Sequence, residues 1–240
     1  MKHTIYSFLA ISIVCLTFVN AQWVYGETKS SWFDSIKQTY IETKIKAKKA
    51  IGEDDIEDYK AQFGGALEIY DAQKSDVGEE FNLGVKGLQA AIDVALTKDG
   101  KFRSVYKDWK RISGEIESLN EDFIILVKAA KSLFDALERN ANSISNIDMR
   151  NEALSDIQGA RNRYRKHIEK TENEIGKLNE KKVAVVDIIK LLEVKATIQV
   201  LEDTTNDLEQ INAAVQRIMA ELDVLSKESQ SLLQLKRASD

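Results

Sequence analysis

An all-α fold, an elongated antiparallel bundle or coiled coil of about four long helices with a short extra helix, is predicted by three observations. The 240 residues contain no proline, so nothing removes a helical amide or clashes with the carbonyl one turn back. Apolar residues alternate at spacings of three and four through Phe102, Val105, Trp109, Ile112, Ile116 and Leu119, and on through Phe123, Leu126, Ala130, Leu133 and Leu137. That is a heptad seam, and at 1.5 Å per residue it runs about 54 Å. Hydrophobic residues make up 43% and charged residues 30% of the chain, enough apolar content to fold and too much for a disordered chain.

Residues 1–26 read as a signal peptide. Lys2 gives the positive start, Ile5 to Val19 the apolar stretch, and Val19-Asn20-Ala21 or Val24-Tyr25-Gly26 the cleavage site. The alternative is an uncleaved anchor, since Ile5 to Tyr25 is just long enough to span a bilayer. The single cysteine, Cys15, lies inside this segment. The mature chain is therefore expected to be exported yet free of disulfides. Residues 27–240 are expected to form one domain.

Trp32 to about Gln73 reads as the first long helix, capped by Ser31, with a strong stripe of Ile56, Tyr59, Phe63, Leu67 and Tyr70. Gly52 and Gly64-Gly65 are soft points that suit a kink or a close crossing. Gln73 to Gly87 is polar and glycine-rich and reads as a connection, with Gly84-Val85-Lys86-Gly87 as a turn. Phe81, Val85, Leu88, Ile92 and Ala95 then mark the short helix.

In the helix of the Phe102–Leu137 seam, Ile124, Ile125, Val127, Ala129, Phe134 and Ala136 widen the stripe of the second half, which needs more than one neighbour. The first half is flanked by charge and is narrower. Phe123 is therefore expected to be better covered than Trp109. Arg139 to Asn146 reads as a loop, with Asn146 or Ser145 capping the next helix. That helix carries Leu154, Ile157, Tyr164, Ile168, Ile175 and Leu178, with Arg161, Thr171 and Lys182 at seam positions. The last helix carries Leu208, Ile211, Val215, Ile218, Leu222 and Leu225 in a different frame. Between Val183 and Asp203, either the register slips or the chain turns. A turn near Glu193 to Ala196 is the preferred reading, because it leaves two helices that match the others in length.

Four segments carry a family resemblance: DIEDYKAQFGGALEIY (Asp55–Tyr70), AKSLFDAL (Ala130–Leu137), NIDMRNEALSDI (Asn146–Ile157) and LLEVKATIQVL (Leu191–Leu201). In these the chain resembles a bacterial family catalogued as domain-of-unknown-function family 2959. The resemblance implies an exported helical protein and no particular activity. Members often carry a lipid-attachment cysteine, which this chain lacks, and the stretch 78–100 departs from the family pattern.

The chemistry-bearing residues are few. His3 falls in the signal peptide, which leaves His167, read as a solvated surface residue. With one histidine and no cysteine in the mature chain, Ser-His-Asp and Cys-His catalysis and Cys/His zinc sites lack parts. A di-iron bundle wants Glu-x-x-His, and Tyr164 stands where the glutamate should be. Glu53-Asp54-Asp55 reads as a capping or solvated cluster. No catalytic, cofactor-binding or metal-ligating residue is therefore expected, and no cofactor. A net charge of −5 disfavours nucleic acid as a partner.

Two basic clusters, Lys44/Lys46/Lys48/Lys49 and Arg161/Arg163/Arg165/Lys166 around Tyr164, suit either ion pairing with neighbouring helices or an anionic membrane surface. The expected function is that of a non-enzymatic exported protein of the cell envelope or periplasm. It would act as a coiled-coil interaction or scaffold module toward a protein partner or a second copy of itself. The alternatives are a peripheral lipid-binding helical protein and a periplasmic holdase chaperone.

Overall fold

The protein is described here by a computed structural model that covers residues 55–95, 102–198 and 204–234. The expected signal peptide, the helix start at Trp32, Gly52, Glu53-Asp54 and the lysine cluster at 44–49 lie outside those residues. Within them are four helices: α1 (Ile56–Ala95), α2 (Phe102–Asn142), α3 (Ile147–Ile198) and α4 (Thr204–Gln234). All four belong to one compact unit.

Inter-helix contacts set the topology. Gln73 meets Glu115, and Arg139 meets Tyr59. Arg161 meets Asp135, and Lys182 meets Glu117. Tyr164 meets Ser229, and Lys170 meets Glu221. Lys74 meets Ser226, and Asn82 meets Asn212. In each pairing one number rises as the other falls, so every neighbouring pair is antiparallel, including α1 with α4. The result is an up-down-up-down four-helix bundle.

The core follows the predicted stripes. Ile112, Ile116, Leu119 and Leu126 of α2 are buried, as are Leu178, Val185, Ile189 and Leu192 of α3 and Leu208, Val215, Leu222 and Leu225 of α4. The second half of α2 widens as expected through Ala129, Phe134 and Ala136, but Ile124 is 42% exposed and does not join the core. Asn146 caps α3: its Oδ1 accepts from the Asp148 and Met149 amides at 3.0 and 3.1 Å, two donors that the first turn otherwise leaves unpaired.

The loop expected at Arg139–Asn146 shortens to residues 143–146, because α2 runs to Asn142. Three larger expectations are corrected. The stretch Gln73–Gly87 is not a connection, and no separate short helix follows it. α1 runs unbroken from Ile56 to Ala95, because Val77, Phe81, Val85, Leu88 and Ile92 continue the stripe of Phe63, Leu67 and Tyr70 into the core. Burial of that stripe outweighs the helix propensity lost at Gly78, Gly84 and Gly87. The turn after α3 does not fall at Glu193–Ala196, since α3 continues to Ile198. No glycine or proline interrupts that stretch, so the helix persists.

Trp109, finally, is not thinly covered. It is 2% exposed against 5% for Phe123, and its ring stands edge-on to Phe81 of α1 at 5.0 Å between centroids. The segment read as a connection is what covers it.

Gly84 shows how closely α1 and α2 cross there. A Cβ at this position would collide with Ile112 Cδ1 and stand 3.1 Å from the Trp109 ring, whereas one at Gly87 would meet nothing within 4 Å among the described residues. Gly87→Ala is therefore expected to stabilise the protein by about 0.5–1 kcal/mol through helix propensity. Gly84→Ala, one turn away, is expected to destabilise it by about 1–3 kcal/mol through overpacking. Urea midpoints that move in the same direction for both variants would contradict the close crossing.

Candidate functional site

The antiparallel order gathers four helix ends at one end of the bundle: the starts of α1 and α3 and the finishes of α2 and α4. The turn between α2 and α3 is tight there. The Ser143 amide donates to the Asn140 carbonyl at 3.0 Å and the Ile144 amide to the Ala141 carbonyl at 3.1 Å. Behind the turn the four ends leave a partly open cavity of about 440 Å³. Its floor is Leu133, Phe134 and Leu137 of α2, with Ile157 and Ala160 of α3 and Leu232 of α4. Asp55, Glu57, Lys60 and Asp156 stand among its remaining lining residues.

The floor is held firmly. Phe134 packs against the Tyr164 ring at 6.0 Å, and Tyr164 meets Phe63 edge-on at 5.9 Å. The Arg161 guanidinium lies over the Phe134 ring at 5.6 Å and pairs with Asp135 at 2.9 Å and Glu138 at 3.3 Å. Lys60 pairs with Glu57 at 3.1 Å. Burial works against ionisation of Asp135, but the hydrogen bond from Lys131 and the charges of Lys131 and Arg161 outweigh it and hold its carboxyl below the usual range.

A group depressed in this way adds stability above the ordinary carboxylate pKa and loses it as the pH falls through the folded value. Asp135→Asn is therefore expected to lower stability near about pH 7 and to leave it unchanged near about pH 2. Urea titrations at the two pH values check this, and an equal loss at both would contradict it.

Two other polar features lie in the bundle. Between α1 and α4, Lys74 is almost fully buried. Its Nζ donates to Asp71 Oδ1 at 3.0 Å and Ser226 Oγ at 2.8 Å, and pairs with Asp223 at 2.6 Å. Between α1 and α2, a smaller cleft of about 130 Å³ is lined by Gly84, Gly87, Trp109 and Glu80. Trp109 Nε1 and Glu80 Oε2 are buried there without a hydrogen-bond partner among the described residues.

The residues singled out in the sequence do not converge. Tyr164 is a core residue whose hydroxyl bonds Ser229 at 2.8 Å. Arg161 is committed to its ion pairs. Arg163, Arg165 and Lys166 are exposed on α3, and His167 is half-buried beside them. The cavity was missed because its lining comes from residues far apart in the chain. The one local signal is Ala160, a small side chain facing the bulky Leu137 and Phe134 stripe.

Among the described residues, no helix is long and apolar enough to cross a membrane. Compared with protein-family models, curated proteins and solved structures, the chain matches none.

Proposed function

We propose that the chain is a non-enzymatic exported protein of the cell envelope. It works as a helical interaction or scaffold module for a protein partner or a second copy of itself, consistent with the resemblance to domain-of-unknown-function family 2959. The observation that carries this reading is a group of exposed apolar side chains on the outer face of α3, with the exposed Asp187–Lys190 ion pair standing among them. Val183, Leu191 and Val194 are 54%, 45% and 62% exposed, while Val185, Ile189 and Leu192 on the opposite face are fully buried. An amphipathic helix needs only its inner stripe apolar. Large apolar side chains left on the outside beside a charged pair suit a further helix laid along them.

In-cell crosslinking from a photoreactive residue at 183, read by mass spectrometry, tests the proposal. The expected result is one dominant crosslinked species, lost in Leu191→Glu/Val194→Glu at unchanged thermal midpoint. Absence of any specific crosslink, or turnover of a substrate by the purified chain, would overturn it.

A second reading, adsorption to an anionic membrane surface, is favoured by the exposed Arg163, Arg165 and Lys166, of which only Arg165 has an ion-pair partner among the described residues, Glu169 at 3.8 Å. Co-sedimentation with anionic vesicles at low salt separates the two. Binding lost on Arg163→Glu/Lys166→Glu supports the membrane reading, and no binding removes it.

A further inference from the structure

The cavity at the helix-end face combines an apolar interior with an acidic surround. Its volume of about 440 Å³ falls within the range of about 300–1,000 Å³ typical of small-molecule sites. Its floor is built from aliphatic side chains and one phenylalanine ring, with Ala160 giving depth. An occupant therefore has an apolar body.

The sign of the head group follows from the charges around the cavity. Helix dipoles do not decide it, because the two helix starts at this end are offset by two helix finishes. Among the described residues that line it, the formal charges are three carboxylates, on Asp55, Glu57 and Asp156, against the one ammonium of Lys60. Lys60 is engaged with Glu57, and Arg161, the guanidinium over Phe134, is engaged with Asp135 and Glu138. Asp55 and Asp156 are exposed and make no ion pair among the described residues.

From this we infer that the cavity binds a small cationic amphiphile. Its alkyl or aromatic body lies on Leu133, Phe134, Leu137 and Ile157, and its ammonium head meets Asp55 and Asp156. An anionic amphiphile of the same length would bring its head against those carboxylates instead.

The test uses the full chain and a series of alkyltrimethylammonium ions of increasing length, each below its micelle concentration, titrated by calorimetry. Saturable binding at one site is expected. Affinity should rise about fourfold per added methylene, the transfer value for a buried CH₂, until the cavity is full. The alkyl sulfate of equal length should bind at least about tenfold more weakly, a tenfold ratio corresponding to about 1.4 kcal/mol.

Ala160→Phe, which fills the floor, should abolish binding. Asp55→Asn/Asp156→Asn, at exposed positions that do not threaten folding, should reduce the preference for the cation over the sulfate by about tenfold. If Ala160→Phe does not fold, the carboxamide pair still decides. Equal binding of both head groups to the wild-type chain overturns the inference. So do an unchanged preference in the carboxamide variant and the absence of saturable binding. Self-association through this face would also overturn it, seen as protein-concentration-dependent dimerisation relieved by Asp55→Asn/Asp156→Asn.

Discussion

Trp109→Ala is expected to destabilise the protein by about 3–5 kcal/mol, the usual cost of deleting a buried aromatic side chain, and at least as much as Phe123→Ala. Trp109 is 2% exposed and wedged between Phe81 and the α1 backbone at Gly84. The space left by its removal cannot collapse easily, because Gly84 offers no side chain to fill it. A loss of this size is a large share of the about 5–15 kcal/mol that holds a typical domain together.

The groups covering Trp109 belong to the same chain, so the loss should not depend on protein concentration. Trp109→Phe provides the control. It keeps a ring against Phe81 and removes the buried Nε1 that lacks a partner, so it should cost much less. Urea unfolding followed by far-UV circular dichroism, which does not rely on the tryptophan itself, measures all three variants. A Trp109→Ala loss well below that of Phe123→Ala would show that α1 does not cover the ring.

Raising the pH should unfold the protein through two tyrosines. Burial is the largest influence on both hydroxyls and pushes their ionisation above the ordinary tyrosine range. For Tyr70 the nearby charges of Asp71 and Asp223 act in the same direction. For Tyr164 the hydrogen bond with Ser229 partly opposes it.

In the unfolded chain both phenols titrate near about pH 10. Below that value each is neutral in both states and the stabilisation is complete. Above it the unfolded chain releases protons that the folded chain retains, so stability falls as the pH rises. Each tyrosine contributes a slope of about 1.4 kcal/mol per pH unit, and the pair about 2.7. Tyr70→Phe should halve the slope between about pH 10 and 11.5. It should cost little at neutral pH, because the Tyr70 hydroxyl is buried without a hydrogen-bond partner. An alkaline slope unchanged by Tyr70→Phe would show that this hydroxyl ionises as freely as one in water.

The fold class, the stripes of α2 and α4 and the Asn146 cap were legible in the sequence, because each is written in neighbouring residues. The continuity of α1 was legible too, but concealed. From Phe63 the spacing runs through Leu67 and Tyr70 to Val77 and Phe81 without a break once Lys74 is counted as a seam residue. A lysine in a seam reads as a solvated interruption until its partners are known, and those partners, Asp223 and Ser226, lie on α4 at the far end of the sequence. The glycines misled in the same way. Gly84 reads as a turn residue, yet its lack of a side chain serves an inter-helix contact with Ile112 and Trp109. The cavity at the helix ends depends on four segments meeting, and no single segment announces it.

The shared end has a mechanical consequence. Residues near both limits of the described chain sit side by side: a Cβ placed on Gly64 would stand 3.7 Å from Leu233 Cδ1, and Ile56 and Leu232 line the same cavity. Tension applied through the two limits would not drag antiparallel helices past one another, loading every contact at once. It would peel α1 from α4 like a zipper, one turn at a time, starting at the cavity. Such a bundle resists heat with its whole core and resists pulling with only one layer of it.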